Sequence, residues 1–199
     1  MTEESASIDR PLAIAAAAGD RRAFEQLVAR HKAALYRLAR RYVGDPEAAY
    51  DIVQETWIAA WMSLRRFDPE RPFSVWVRAI ALNKCRDQGR RGAVRRRMLR
   101  LFFLEVTAPP AVSGDPRGSE DEGERTDADH LRRLEQAIAD LPRLYKEPLL
   151  LTLVSGLTQQ QAAAELKTTT KAIEMRIRRA KRRLAEALVK SASVPPREG

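Results

Sequence analysis

The chain has a single cysteine, Cys85, and only two histidines, His31 and His130. One thiol excludes an internal disulfide framework and a cysteine zinc site. The expected state of Cys85 is buried and inert. Neither histidine has a second His, Cys or carboxylate at ligand spacing, so both read as ordinary surface residues and no metal is implied. Aromatic residues are scarce, at 6%, and no apolar run is long enough to span a bilayer. The Ala15–Ala18 run is too short and too weakly apolar for a signal peptide. There is no nucleophile–base pair and no phosphate-cradling glycine loop. No catalytic residue, no cofactor and no small-molecule substrate is therefore expected.

What is abundant is positive charge. Lys and Arg number 36 against 27 Asp and Glu, a formal net charge of +9 over 199 residues. That excess favours a polyanionic partner, nucleic acid before a membrane surface. The length suits one large or two small domains.

Apolar spacing predicts helix throughout. Pro11 to Ala18 is a short alanine-rich helix that stops at Gly19. Asp20 caps a longer one, with Phe24, Leu27, Val28, His31, Leu35 and Leu38 on the 3.6-residue period and a glycine stop at Val43-Gly44. Asp45-Pro46 starts the next, an acidic N-cap followed by the residue best tolerated at the first helical position. Its apolar stripe is Val53, Trp57, Ala60, Trp61 and Leu64. At about 100° per residue, Asp51, Gln54, Glu55, Ile58 and Met62 cluster on the opposite side. A purely solvated face needs no Ile or Met there; a docking surface does. After the loop Arg65–Arg71, a helix from Pro72 carries Phe73, Val75, Trp76, Val77, Ile80 and Leu82 nearly all round, which predicts burial. It changes at Asn83-Lys84 and fades among arginines. Trp76 and Asn83 share one flank beside those cations, the materials of single-stranded nucleic-acid binding.

These elements predict a helical domain over residues 10–97. Residues 98–128 read as a linker: Met98–Leu104 stays apolar and could extend the last helix or pack back on the domain, whereas Glu105 to Ala128 is mobile and acidic between basic neighbours, because its Pro, Gly, Ser and clustered acids (Glu120, Asp121, Glu122, Glu124) cannot bury a core. Helix restarts at Asp129, bends at Leu141-Pro142 and continues to Ser155-Gly156. Thr158-Gln159-Gln160-Gln161 is a capping box opening a short helix through Leu166. After a turn at Lys167-Thr168-Thr169, a basic helix runs to about Val189, completing a helix-turn-helix signature over 129–189. The tail, 190–199, is disordered by composition. The predicted fold class is therefore all-α: two small helical domains joined by a flexible acidic linker.

In the last helix, Ile173, Ile177, Ala180 and Leu184 form the inward arc. Lys171, Glu174, Met175, Arg178, Lys181 and Arg182 form the outer one, suited to a DNA major groove. Arg179, Arg182 and Arg183 can neutralise phosphates. Glu174, Met175 and Arg178 sit where base edges would be reached: cytosine N4, a thymine methyl and guanine respectively.

Two stretches carry a family resemblance. Asp51-x-x-Gln54-Glu55, with Phe67-Asp68-Pro69, Arg71-Pro72-Phe73, Trp76 and Asn83, resembles region 2 of the extracytoplasmic-function (group 4) sigma factors of bacterial RNA polymerase. The segment from Leu141 to Leu184 resembles region 4 of the same family. The resemblance implies a cytoplasmic transcription initiation factor, in a family tied to stress responses, that binds core polymerase and assists promoter melting. It implies that Asp51, Gln54 and Glu55, with Ile58 and Met62, dock on the clamp helices of the largest polymerase subunit. The Arg65–Arg71 loop and Phe67, with Trp76 and Asn83, would engage the −10 element and hold an unstacked base, while Lys84, Arg86, Arg90 and Arg91 contact adjacent backbone. The outer arc of the last helix, with Arg176, would bind the −35 element, and the linker would run through the polymerase. An anti-sigma partner is common in this group; membrane insertion is not implied. Two departures stand out. Lys167 occupies the usual glycine position of the turn, where a left-handed backbone costs about a kilocalorie or more per mole. Glu174 and Met175 replace more usual basic and small residues. A free-standing helix-turn-helix regulator, a helical RNA-binding protein and a helical enzyme are the competing classes.

Overall fold

In the computed structural model of the chain, residues 3–102 and 122–192 are described, with side chains described within 7–90 and 130–189. Most of the expected linker and the expected disordered tail lie outside the described residues. The elements are α1 (Glu3–Ala17), α2 (Arg21–Val43), α3 (Pro46–Ser63), a 3₁₀ turn (Leu64–Arg66), α4 (Phe73–Phe102), α5 (Glu122–Asp140), α6 (Arg143–Leu153), α7 (Gln159–Glu165) and α8 (Thr170–Ala192). No strand occurs among the described residues.

Local chemistry accounts for most helix ends. Asp20 accepts the amides of Arg22 and Ala23, and Asp45 accepts that of Ala48, satisfying donors that a helix start leaves orphaned. Gly44 closes α2 in the left-handed conformation at φ 79°, where a side chain is disfavoured. It has a second reason to be glycine: a Cβ there would lie 2.8 Å from the Cβ of Ala139 on α5. The sequence reading started α1 at Pro11, but the helix begins at Glu3 and keeps Pro11 inside it. Packing overrides the proline here, because Asp9 in the preceding turn is buried to 1% exposure. Helix α4 runs past Arg97 to Phe102, within the apolar stretch that could extend it, and α5 begins at Glu122 rather than Asp129.

Helices α1 to α4 pack into one bundle and α5 to α8 into a second, with α2 contacting both α5 and α6. The first core centres on Leu27, Leu38, Leu64, Phe73, Val77 and Leu82, the second on Leu149, Leu150, Leu151 and Ile173. The stripe expected on α3 is only partly the buried one. Val53, Ala60 and Leu64 are buried as expected, joined by Ala49, Ile52 and Thr56, whereas Trp61 is 39% exposed. Trp57 is half-buried against Phe24, rings edge to face at 5.8 Å. Thr56 is tolerated in the core because its hydroxyl donates to the Ile52 carbonyl at 2.6 Å. On α4, expected to be largely buried, Val75 stays exposed while Trp76 and Ile80 are half-buried.

Candidate nucleic-acid interface

The outward face of α3 forms as its periodicity predicts. Asp51, Gln54 and Glu55 are exposed, beside Ile58 at 61% and Met62 at 80%. Next to it, α2 and α3 enclose an open groove of about 890 Å³ whose lining includes Val28, Tyr36, Tyr50, Val53 and Trp57. Large apolar side chains held in water next to carboxylates are the material of a protein contact.

The aromatic loop is different. Phe67, expected to meet DNA, is 7% exposed. Its ring is T-shaped to Phe73 at 5.6 Å and lies 5.1 Å from Trp76, so it supports the loop from beneath. Trp76 is half-buried over that pair and Asn83 is exposed one flank along. His31, expected at the surface, is 6% exposed. Its Nε2 is 2.7 Å from an Asp9 carboxylate oxygen, and its ring is 5.6 Å from Phe73. The expectation failed because helical spacing put His31 on the apolar face of α2, while the partner that satisfies it comes from α1. His130 is exposed.

The cations on α4 that are described all have internal partners. Lys84 donates to Glu55 at 3.0 Å, Arg90 pairs with Asp87, and Arg86 donates through Nε and Nη2 to both oxygens of Glu147, each at 2.7 Å. Arg86 also donates to Asn83 Oδ1 at 2.9 Å. The side chain of Arg91 lies outside the described residues.

Glu147 is the centre of the seam between the two bundles. It is 4% exposed and also accepts from the Tyr42 hydroxyl at 3.1 Å and from Arg143 at 3.2 Å. Beside it, the Lys146 ammonium donates to the carbonyls of Tyr42, at 3.0 Å, and Ala139. Burial and the Glu147 carboxylate push the Cys85 thiol up to about 12, so the thiol stays protonated and inert, as expected of it. Arg78 reaches Glu165 on α7 at 3.0 Å, both side chains 5% exposed. There burial dominates and raises the Glu165 carboxyl above its ordinary range, against the pull of Arg78. The sequence reading missed Glu147 as a functional residue. The signal was present: Lys146-Glu147 interrupts a run that is otherwise apolar, and charges so placed are paired when buried.

The second bundle presents the helix-turn-helix. Thr158 and Gln161 form both bonds of the capping box. Lys167 holds φ 50°, so the turn keeps the left-handed step with lysine in place of glycine. The Thr169 hydroxyl accepts the Ala172 amide at 3.2 Å and starts α8. Ile173, Ile177 and Ala180 are buried and Leu184 is half-buried. Lys171, Glu174, Arg178, Arg179 and Arg182 are exposed, while Met175 and Arg176 are half-buried. A concavity of about 570 Å³ is lined by Met175, Arg178, Arg179, Arg182, Arg183 and, from α6, Tyr145. Arg183 lies over the Tyr145 ring at 5.1 Å. Tyr145 was not foreseen, because only the fold brings α6 under α8.

Among the described residues no cluster of three or more His, Cys, Asp or Glu is arranged to hold a metal. No helix among them is long and apolar enough to cross a membrane.

Residues 27–96 match the family described as Sigma-70 region 2, and residues 131–184 match Sigma-70, region 4. The RNA polymerase sigma factor CnrH of Cupriavidus metallidurans is 41% identical over 183 residues, spanning 90% of this chain and 94% of that protein. The ECF RNA polymerase sigma factor SigD of Mycobacterium tuberculosis is 32% identical over 197 residues, 95% of this chain and 87% of its own length. Among solved structures, CnrH in complex with the cytosolic domain of CnrY superposes with a TM-score of 0.65 at 34% identity, covering 94% of this chain and 99% of that one. RpoE in complex with the anti-sigma factor NepR from Bartonella quintana gives 0.60 at 25% identity, covering 83% and 96%.

Proposed function

The chain belongs to the extracytoplasmic-function branch of the sigma-70 family, and from that premise we propose how its surfaces divide the family's work. As a sigma factor it is a transcription initiation factor that binds core RNA polymerase and directs it to promoters. Sigma factors are non-catalytic regulators. In our reading this chain has no enzymatic activity of its own and acts in the cytoplasm, with the polymerase doing the synthesis.

The observation that carries the reading is the pairing of the exposed α3 face with the exposed outer face of α8. Asp51, Gln54, Glu55, Ile58 and Met62 form the polymerase contact. Glu174, Met175 and Arg178 read bases of the −35 element, while Lys171, Arg176, Arg179 and Arg182 hold its phosphates. Trp76 and Asn83 take the −10 element, with Phe67 as the support beneath Trp76 rather than a contact. Lys84, Arg86, Arg90 and Arg91 follow the adjacent backbone.

Arg86 adds a condition to this division. A phosphate and the Glu147 carboxylate present similar acceptors to one guanidinium fork, so backbone contact by Arg86 requires its release from Glu147. The seam between the bundles must therefore part when promoter DNA is bound. A partner that holds the seam closed would keep the factor silent, and an anti-sigma protein is the class expected to do so, as NepR is the anti-sigma factor solved with RpoE.

The experiment is run-off transcription with bacterial core polymerase and this chain on a promoter library. Enriched transcripts sharing a −35/−10 pair are expected. The double substitution Asp51→Ala with Gln54→Ala should abolish competition for core polymerase without changing helicity. Duplex binding by the chain alone, with no stimulation of the polymerase, would instead indicate a free-standing regulator.

A further inference from the structure

The sigma region 2 match begins at residue 27, so α1 precedes it. Yet α1 packs on α2, α4 and the 3₁₀ turn that leads into the aromatic loop. Two side chains on adjacent positions make specific bonds from it. Asp9, buried to 1%, accepts Arg30 Nε at 2.8 Å and meets His31 Nε2 at 2.7 Å. His31 lies against Phe73, Phe73 against both Phe67 and Trp76 at 5.6 and 5.5 Å. One unbroken line of contacts thus runs from a carboxylate on α1 to the ring assigned to the −10 element. The neighbouring Arg10 pairs with Glu70 inside the loop, whose amide in turn donates to Asp68 at 3.0 Å.

We infer that α1 is a positioning element for −10 recognition: Asp9 sets the Trp76 platform from below through His31 and Phe73, and Arg10 sets the loop from its rim through Glu70. The chemistry favours a geometric role over a stabilising one. A buried carboxylate is costly to retain where an apolar residue would pack, unless its directed bonds hold a particular arrangement. The Arg10–Glu70 pair is exposed at both ends, 53% and 74%, and such pairs add little stability. What the two contacts share is their target. Both end on the segment between Phe67 and Trp76, one through Phe73 and the other through Glu70. The inference rests on the assignment of that segment to the −10 element.

The test uses holoenzyme assembled from core polymerase and the full chain. It measures the ratio of run-off transcription from a consensus −10 promoter to that from one with a single substituted −10 base, with −35 elements identical. Asp9→Asn, close in shape, should lower that ratio by about tenfold, the scale of one well-made base contact. Binding to core polymerase and to a −35 duplex should be unchanged. Arg10→Glu, an exposed change that spares the core, should lower the ratio less. The exchange Arg10→Glu with Glu70→Arg should restore it, which a general loss of stability would not do. Asn83→Ala and Trp76→Ala are run in parallel. If they shift discrimination while Asp9→Asn, folded, and Arg10→Glu do not, the role of α1 is overturned. If Asn83→Ala and Trp76→Ala themselves leave discrimination unaltered, it is the −10 assignment that fails.

Discussion

The two basic surfaces assigned to DNA are built from the same residue types but differ in how one arginine is held. On α8 Arg178 and Arg182 stand in water: Arg178 has only a methionine sulfur at 2.9 Å, and Arg182 reaches Glu186 at 3.7 Å across one turn, both ends exposed. On α4 Arg90 is held in the same way, by Asp87 within its own helix with both ends exposed, and Lys84 reaches Glu55 on α3, but Arg86 is held by a buried carboxylate of the other bundle. The difference lies in what faces each helix. The outer arc of α8 points away from its own bundle, whereas the Arg86 side chain of α4 meets Glu147 of α6. On the proposed assignment, the α8 surface is available in the compact chain while Arg86 must first be released, so the −35 contact can precede the full −10 contact.

The change expected to break this contrast most strongly is Glu147→Ala. Removing one side of a buried, multiply bonded pair costs about 3–5 kcal/mol, with the Glu147 and Arg86 side chains 5% and 23% exposed. The seam between the bundles should open, read as lost energy transfer between dyes on α3 and α8, and binding to a single-stranded −10 oligonucleotide should rise. Unchanged transfer would mean that the seam is held elsewhere. Next in size is Arg178→Ala, expected to cost about 1–3 kcal/mol on a −35 duplex and to relax preference at one base pair. The comparison is sharpened by Arg86→Ala, which should weaken −10 binding only in a Glu147→Gln background, where the arginine has been released.

Lys167→Gly should stabilise the helix-turn-helix by up to about 1 kcal/mol, since a left-handed lysine carries roughly that strain, seen as a higher melting temperature with no change at the seam. The smallest effect is on pH. The Glu165 carboxyl is raised above 4.5 in the compact chain, so its contribution is fully present below 4.5 and is lost as pH rises through the raised value. The seam should therefore loosen as pH rises above 4.5 and through the raised value. The Asp9 carboxyl is the opposite case. Burial alone would raise it, but hydrogen bonds and charge from His31 and Arg30 hold it below 3.8. The docking of α1 is accordingly present above 3.8 and is lost only as pH falls through the lowered value. Energy transfer across the seam, followed from pH 4 to pH 7, should show the first trend in the native chain and not in Glu165→Gln.

The exposed face of α3 and the outer arc of α8 were legible from residue spacing alone, because a helix's faces repeat every 3.6 residues and their exposure follows from that period. The aromatic loop was legible in composition but not in orientation. A phenylalanine in a loop reads as available, and only the neighbouring rings of Phe73 and Trp76 show Phe67 to be the floor. Cys85 was placed correctly by its residue type, His31 wrongly by the same kind of reasoning. The partner of His31 lies 22 residues earlier on another helix.

By itself the amino-acid sequence determined the helices, their caps, the helix-turn-helix and the sign of each surface. These depend on interactions within about one turn of chain, which local residue order encodes. Only the tertiary structure decided which charges remain for a partner and which are already spent on another helix. Arg86 and Glu147 are 61 residues apart and Arg78 and Glu165 are 87. A pairing over such distances follows from how the two bundles meet, and no local period records it.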